Sequence, residues 1–288
     1  MDNVLQPSIF IIVLNYNGKA TLANCLSSLY LSDYPNFEVL VVDNASTDGS
    51  LEEAKQLFPK ASFIRNSSNI GFSRGNNIGI RYALEKFADY VFILNNDTLV
   101  ETATLSNLAG ATQQNSKAGM VSPLILAADN RHLWFAGGLI DWHKMRTRHS
   151  YKLVSDQPYA TEYLSGCAMF VKKEVFKKIG LFDERFFLYY EDADFSVRAR
   201  QAGFDLLVVP SAKMNHLEQS NEKNSAKTYW LVLSGLLFFH THASAVQKVW
   251  LQAYLALRKT KNFYDLAFSK NKAALDVRRA YQDFKKLS

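Results

Sequence analysis

Polar residues follow several short apolar runs in the sequence, and their types suit the binding of an anionic ligand and a cation. These residues are Asn15-Tyr16-Asn17-Gly18, Asp43-Asn44, Asn95-Asn96-Asp97 and the region around His216. In open α/β sheets, ligands gather beyond the carboxyl ends of the strands. The four segments therefore predict a ligand site at one edge of a sheet.

Asp43 and a glycine-containing segment are candidates for contact with a nucleotide. The Asp43 carboxylate can accept hydrogen bonds from a base N–H or a ribose hydroxyl, although Asp is also common in structural turns. Residues 69–77 place Gly71 and Gly75 just before a predicted helix, where the backbone can approach an anion at the helix N-terminus. A lone Gly-rich turn of this kind is more often structural.

Two acidic positions suggest chemistry. Asp97 ends an apolar run with two amides beside it, a place for a divalent cation that bridges two phosphates, or for a simple turn residue. Glu191-Asp192-Ala193-Asp194 starts a predicted helix after an aromatic run. A helix N-terminus favours anions, so we expect these carboxylates to be ionised and one of them to act as a base. The alternative is ordinary charge preference at a helix start.

Apolar runs alternate with helical patterns, which predicts an α/β fold with a mostly parallel sheet and crossover helices. The predicted strands are residues 9–14, 37–43, 63–65, 90–94, 119–122, 162–171 and 205–209. The predicted helices are residues 21–29, 51–58, 76–87, 102–115, 173–179 and 193–202. Residues 123–159 are irregular, residues 218–227 suggest a linker, and the chain is mostly helical from residue 229. We therefore expect a catalytic domain over residues 1–220 and a helical, basic extension over 221–288.

Composition narrows the class of protein. The 288 residues are 48% hydrophobic and 21% charged, as in a soluble globular protein. The sequence shows neither a signal peptide at its start nor a run of ~20 apolar residues, so we expect a cytoplasmic protein. Its two cysteines form no CxxC pair. The net charge of +6 comes from residues 248–288, which hold ten Lys/Arg against three Asp, and this argues against a nucleic-acid-binding main domain.

Six motifs in order resemble family 2 glycosyltransferases, especially their rhamnosyltransferase-like branch. The resemblance runs from Ile9 to about His216. The motifs lie in residues 11–18, 41–50, 69–77, 94–97, 166–171 and 182–192. Two positions depart from the family pattern. The metal motif is Asn95-Asn96-Asp97 instead of Asp-x-Asp, and Ser234-Gly235 stands where relatives often carry Arg-Asn.

The resemblance implies a GT-A fold and assigns roles to residues. Asp43 meets the nucleobase, Asp97 binds Mg²⁺ or Mn²⁺ with His216 as a second ligand, and Asp192 is the catalytic base. The remaining contacts with the nucleotide-sugar donor would come from Asn15, Asn17, Asn69, Gly71, Gly75, Asn76, Asn95 and Asn96. Glu191, Trp134 and Gly166 would lie on the acceptor side or support the site.

The implied reaction is an inverting transfer from a nucleotide-sugar donor, with dTDP-L-rhamnose as the best guess, to a glycan or lipid-linked glycan of the cell surface. The alternatives are a UDP-hexose or UDP-galactofuranose donor, or a non-catalytic nucleotide-sugar-binding protein. A nucleotidyltransferase is disfavoured because residues 15–18 are neither Gly-rich nor basic. The tail, with apolar runs at 230–239 and basic residues after Trp250, either contacts an anionic membrane at the inner face of the plasma membrane or packs on the core or a second subunit.

Overall fold

The computed structural model of the chain describes residues 6–217, 225–268 and 273–287. Its first half contains β1 (Ile9–Asn15), α1 (Leu22–Leu29), β2 (Phe37–Asp43), α2 (Ser50–Leu57), β3 (Ser62–Arg65), α3 (Phe72–Glu85), β4 (Tyr90–Asn95), β5 (Thr98–Val100) and α4 (Thr104–Gln114). There follow β6 (Ala118–Ala127), β7 (Leu133–Phe135), β8 (Gly138–Asp141), β9 (Arg146–His149), β10 (Tyr159–Ala160), β11 (Ala168–Lys172), α5 (Lys173–Ile179), α6 (Glu191–Gln201), β12 (Asp205–His216), α7 (Ser225–His242), α8 (Ala245–Phe268) and α9 (Ala273–Leu287).

One large sheet organises the molecule, in the order β10-β12-β6-β11-β4-β1-β2-β3. Strands β3, β2, β1 and β4 are parallel, which confirms the α/β prediction for the first half. β11 runs antiparallel to both β4 and β6, so the sheet as a whole is mixed. The carboxyl ends of β1, β2 and β4 therefore meet at one edge.

The continuous apolar runs of the strands arise because both faces of the sheet are covered. In β1, Ile11 and Val13 belong to one buried cluster and Phe10 and Ile12 to another. A strand buried on both faces has no polar side to alternate with. Helix α1 buries its four apolar positions, Leu22, Cys25, Leu26 and Leu29, as their spacing predicts.

Several predicted boundaries were wrong, and one matters for the site. Helix α3 begins at Phe72 rather than Asn76, with Gly71 at its N-cap at φ +86°. Gly75 therefore lies inside the helix, where an added Cβ would come 2.5 Å from Leu14 Cδ1. The predicted role of Gly75 in backbone approach to a ligand is thus corrected: it lets α3 pack closely on β1.

Two other boundaries place site residues differently. β12 continues to His216 instead of ending at residue 209, so His216 is a strand residue rather than a loop residue. β11 begins only at Ala168, because residues 162–167 of the predicted strand form a turn and loop ahead of it. Helix α6 begins at Glu191, two residues before the predicted start, so the whole acidic cluster is helical.

The C-terminal helices are present as predicted, and α7 packs on the core. Leu233, Leu237 and Phe238 belong to the same buried cluster as β1. Of the two alternatives for the apolar runs at 230–239, packing on the core therefore holds for most of α7. Residues 218–224 of the predicted linker lie outside the described residues, and Ser225 already belongs to α7. None of the described helices has the length and apolar character needed to cross a membrane.

Candidate active site

A buried polar cluster joins the ends of β1 and β2. Asn15 Nδ2 donates to Asp43 Oδ1 at 2.8 Å, Ser50 Oγ at 3.0 Å and Ser46 Oγ at 3.1 Å. The Asp43 carboxylate also accepts from Ser46 Oγ at 2.5 Å and Ser46 N at 3.0 Å. Asp43 is fully buried, so its oxygens are engaged by the chain itself. The sequence reasoning missed Ser46 and Ser50, although both lie in a motif that it singled out.

The neighbouring loops are tied to this cluster. Asn17, at φ +54°, donates its N–H to Ser46 Oγ at 2.9 Å and accepts from Thr47 N at 2.9 Å. Asn96 Nδ2 donates to Asn15 Oδ1 at 2.7 Å, which adds the turn after β4. Because Asn17 and Asn96 form hydrogen bonds with other residues of the chain, they stabilise the conformation of these loops.

The start of α3 contacts the loop that leads to the acidic cluster. Asn69 Oδ1 accepts from Gly71 N at 3.0 Å. An added Cβ on Gly71 would come 2.6 Å from Phe187 O, which accepts from Phe72 N at 2.7 Å. Gly71 is thus required both by its positive φ and by this close approach. Asn76 is buried, and its Oδ1 has no hydrogen-bond partner among the described residues.

Asp97 and His216 come together because β5 pairs with the end of β12, where Thr98 lies opposite His216. Asp97 Oδ1 lies 3.1 Å from His216 Nε2. The contact is not a hydrogen bond, and both atoms are buried without a hydrogen-bond partner in the described part of the chain. Trp134 holds the imidazole, with ring centroids 4.3 Å apart in an edge-to-face contact. The pair fits a divalent cation, which accepts carboxylate and imidazole ligands.

The pair cannot hold a cation alone. In residues 6–217, 225–268 and 273–287 no group of three or more His, Cys, Asp or Glu side chains is arranged for a metal. Further ligands would have to be substrate or water oxygens, as is usual for Mg²⁺ bound with substrate phosphates. The side chain of Asp97 is 27% exposed, which leaves an approach for such a ligand.

Asp192 is held by two backbone amides at the start of α6. Its Oδ2 accepts from Gly166 N at 2.9 Å and its Oδ1 from Ala193 N at 2.7 Å. Burial raises the pKa of Asp192 despite these hydrogen bonds. A carboxylate with a raised pKa is a better proton acceptor near neutral pH, as a general base requires.

The other two acids of the cluster differ from Asp192. Glu191 is buried, its Oε2 has no partner among the described residues, and burial together with the Asp192 charge raises its pKa well above the usual value. At Glu191 and Asp192, desolvation therefore outweighs the effect of the helix N-terminus, which was expected to favour the ionised form. Asp194 accepts from Arg198 Nε at 2.8 Å and lies 2.7 Å from His242 Nε2. The pairing of Asp194 with His242, which the sequence reasoning missed, ties α6 to α7.

A short segment before β11 links the acidic cluster to the Asp97 turn. Gly166 N bonds Asp192, and the next residue, Cys167, accepts at its O from Asn95 N at 3.0 Å. Asn95 in turn accepts at its O from Thr98 Oγ1 at 2.9 Å. The structure therefore brings the predicted base and the predicted metal pair to the same edge of the sheet, together with the Asn15–Asp43 cluster.

Comparison with known proteins supplies the family. Residues 9–180 match the family described as "Glycosyl transferase family 2". The chain therefore belongs to glycosyl transferase family 2 and is a glycosyltransferase.

Relatives that are similar to this chain include rhamnosyltransferases. The chain is 28% identical to an N-acetylglucosaminyl-diphospho-decaprenol L-rhamnosyltransferase of Mycobacterium tuberculosis, over 72% of this chain and 75% of that protein. It is 26% identical to a dTDP-rhamnosyl transferase of Shigella flexneri, over 74% and 70% of the two chains. The rhamnosyltransferase-like resemblance seen in the motifs is thus confirmed.

Solved structures confirm the fold. A mannosyltransferase of Pyrobaculum calidifontis, in complex with GDP-Man and Mn²⁺, superposes with a TM-score of 0.61 at 18% identity, over 98% of this chain and 88% of that one. S. aureus TarS superposes with a TM-score of 0.59 at 17% identity, and the chain spans 91% of its own length but only 44% of TarS. At these identities the likeness shows the GT-A fold alone.

Proposed function

We propose that the protein transfers L-rhamnose from dTDP-L-rhamnose to a hydroxyl of a glycan acceptor, with inversion. The observation that carries the transferase chemistry is the pair Asp97 Oδ1 and His216 Nε2, 3.1 Å apart and without hydrogen-bond partners. The names of the two rhamnosyltransferase relatives support the sugar. Asp192, on the same sheet edge, supplies the base.

The metal site consists of Asp97 and His216 from this chain. Mg²⁺ or Mn²⁺ suits a carboxylate, an imidazole and diphosphate oxygens, and when bound it neutralises the charge that grows on the departing diphosphate. Asn95 and Asn96 contribute no charge, and Asn96 is engaged with Asn15. Trp134 orients the imidazole.

Asp192 takes the proton from the attacking hydroxyl of the acceptor. The oxygen of that hydroxyl bonds to the anomeric carbon while the bond to the diphosphate breaks on the opposite side, so one displacement inverts the configuration. The N–H groups of Gly166 and Ala193 fix the carboxylate orientation. Glu191, buried beside it, supports this arrangement.

The nucleoside side of the donor lies along the loops after β1 and β2 and the start of α3. There we assign Asn15, Asn17 and Asp43 to shaping the loops, and Asn69, Gly71 and Asn76 to the donor surface. The unpartnered Oδ1 of Asn76 supports a ligand contact there. Gly75 serves only helix packing.

A panel of nucleotide sugars tests the proposal. Each of dTDP-L-rhamnose, UDP-hexoses and UDP-galactofuranose is incubated with the full chain, Mn²⁺ and a glycan acceptor, and the release of nucleoside diphosphate is measured. We expect release from dTDP-L-rhamnose. Faster release of nucleoside diphosphate from a UDP-sugar would show that the donor is a UDP-sugar, while the transfer reaction would still stand. Binding of a nucleotide sugar without release of nucleoside diphosphate from any of them would identify a non-catalytic binding protein.

We further propose the setting of this reaction. The acceptor is a glycan, free or lipid-linked, of cell-surface polysaccharide, and the enzyme works in the cytoplasm. Residues 1–220 form the catalytic domain and 221–288 its helical extension. We also propose that the protein forms a homodimer, which sedimentation of the full chain tests.

A further inference from the structure

Helix α8 presents an apolar face to solvent. Its exposed apolar side chains are Val246, Val249, Leu257, Phe263, Tyr264 and Phe268, with Val249 at 74% and Leu257 at 68% exposure. Soluble monomers rarely expose a contiguous apolar patch of this kind unless it is an interaction site. Helix α7 differs, since its Leu233, Leu237 and Phe238 are buried in the core.

The outward direction of this face is set by how α8 is anchored. Leu251 and Asn262 are buried, and Asn262 Nδ2 donates to Ala274 O of α9 at 2.9 Å. At 100° per residue, Val249, Leu257 and Tyr264 point within about 60° of the direction opposite to that anchor. The apolar face is therefore fixed outward by the packing of the helix's other side.

Basic residues border this face. At 100° per residue, Lys259 and Lys261 lie about 110° and 90° to either side of the centre of this face, and Lys248 lies about 130° from it, toward the anchored side. Lys261 pairs with Asp265, the one acidic residue of α8, at 2.6 Å. An apolar stripe with lysines on its borders is the pattern of a helix that lies in the plane of an anionic bilayer, with its apolar side chains in the lipid boundary and the ammonium groups at the headgroups. A second copy of the chain docked symmetrically would instead bring the same lysines together.

The structure assigns the outer face of α8 to docking on an anionic lipid membrane. This inference does not depend on the identity of the sugar. Helix α8 also borders a cleft of about 470 Å³ whose lining includes Trp250, Tyr254 and Tyr190, the residue before Glu191. A membrane-docked α8 therefore sets the acceptor side of the active site next to the bilayer.

Vesicle flotation tests the docking. The full chain is mixed with phosphatidylcholine vesicles, with and without phosphatidylglycerol, and the floated fraction is measured. We expect flotation only with the anionic lipid and less of it at high salt. Leu257→Glu should weaken partitioning by about tenfold or more, and Lys248→Gln and Lys259→Gln by about fivefold each.

Leu31→Glu is the matched control, because Leu31 is an exposed leucine on another surface, at 70% exposure. It should leave flotation unchanged, and both leucine variants should keep transfer to a soluble acceptor. Equal flotation of Leu257→Glu and the parent chain would overturn the proposal. So would a lipid-free dimer that Leu257→Glu converts to monomer, since the face would then be an interface between copies. Transfer without flotation would overturn the docking and leave the proposed function standing.

Discussion

Two groups of polar side chains share one edge of the sheet, and they differ in how their hydrogen bonds are satisfied. In the Asn15–Asp43 cluster, Asn15 donates to three oxygens and accepts from Asn96, and Asp43 accepts from Asn15 and Ser46. Among Asp97, His216 and Glu191, by contrast, buried atoms lack any hydrogen-bond partner among the described residues. Both groups come from the last residues of strands, the turns that follow strands, and the first residues of helices.

This difference indicates that the hydrogen-bonded cluster stabilises the loops and that the atoms without partners are the ones that contact ligands. A buried polar atom without a partner costs roughly 1–3 kcal/mol, so it persists where the site gains something else from it. The satisfied cluster holds the loops in place before any ligand arrives. The unsatisfied atoms keep their lone pairs available for a cation, a donor or an acceptor. The predictions below test this division.

The largest effect on transfer should come from loss of the metal site formed by Asp97 and His216. Chelation by EDTA should abolish transfer, and Asp97→Ala should lower turnover by roughly 10³-fold or more, because charge on the diphosphate is no longer neutralised. Transfer is measured by release of nucleoside diphosphate. Addition of Mn²⁺ or Mg²⁺ in excess should restore the parent chain but not the variant.

Full activity in EDTA would remove Asp97 and His216 from the metal role. His216→Ala offers a separate check, because it leaves Asp97 in place. We expect it to need a higher Mn²⁺ concentration for half-maximal rate. An unchanged metal dependence would assign His216 to packing against Trp134.

The next effect concerns the base. Asp192→Asn keeps the size and most of the hydrogen bonds but cannot take a proton, so turnover should fall by roughly 10²–10⁴-fold. Donor affinity should change little, since the diphosphate contacts other residues. Single-turnover kinetics and donor titration separate the two.

Glu191→Gln and Asp194→Asn are the internal controls for that variant. Asp194 is engaged by Arg198 and His242, so Asp194→Asn should lower stability more than it lowers turnover. Near-normal turnover in Asp192→Asn with a dead Glu191→Gln would move the base to Glu191. Activity in all three variants would exclude the acidic cluster from the chemistry.

A substitution in the Asn15–Asp43 cluster should lower the stability of the folded protein. Asn15→Ala leaves Asn96 Nδ2 without its partner and removes one of the two donors to Asp43 Oδ1, which keeps Ser46 Oγ. We therefore expect the free energy of unfolding to fall by about 1–3 kcal/mol in urea titrations. Asn36→Ala is the control, since the exposed side chain of Asn36 donates to Gln6 O at 2.6 Å and the variant keeps the backbone bond from Ile9 N to Asn36 O. It should change stability by less than about 0.5 kcal/mol. Equal losses in both variants would show that the cluster adds nothing special.

The sequence predicted the sheet edge because its signals were local. The buried faces of β1 and α1 follow from apolar spacing, and Asp43 and Asn15 follow directly after apolar strands. The start of α3 was predicted too late because Gly71 and Gly75 were both read as loop residues. In the structure Gly75 lies within α3 and packs on Leu14.

Contacts between distant segments could not be predicted from local patterns. The Asp194–His242 pair joins α6 to α7 across 48 positions. The motif order indicated that Asp97 and His216 belong to one site, but the pairing of β5 with β12 that sets their distance is a tertiary feature. The raised pKa values of Asp192 and Glu191 could not be predicted either, because burial, which no local pattern gives, outweighs the effect of the helix N-terminus.

The smallest predicted effect is the pH dependence that Glu191 adds to stability. Burial and the Asp192 charge raise the pKa of Glu191 in the folded chain well above its ordinary value of 4.5. Above pH 4.5 the unfolded chain releases the Glu191 proton, whereas the folded chain retains it. Glu191 therefore has no effect on stability at low pH, where both states hold the proton, and it lowers stability as the pH rises toward the folded pKa. Glu191→Gln removes the titration and keeps the shape. Urea unfolding of both proteins at pH 4 to 8 should show the variant gaining stability relative to the parent as the pH rises, with other groups cancelling in the difference.

Asp183→Asn is the opposite control, because hydrogen bonds and charge from Arg185 lower the Asp183 pKa. The stability of this variant relative to the parent should fall as the pH rises through the acid range. A difference between Glu191→Gln and the parent that stays flat with pH would mean that Glu191 ionises normally and that its buried oxygen is reached by water or by a partner.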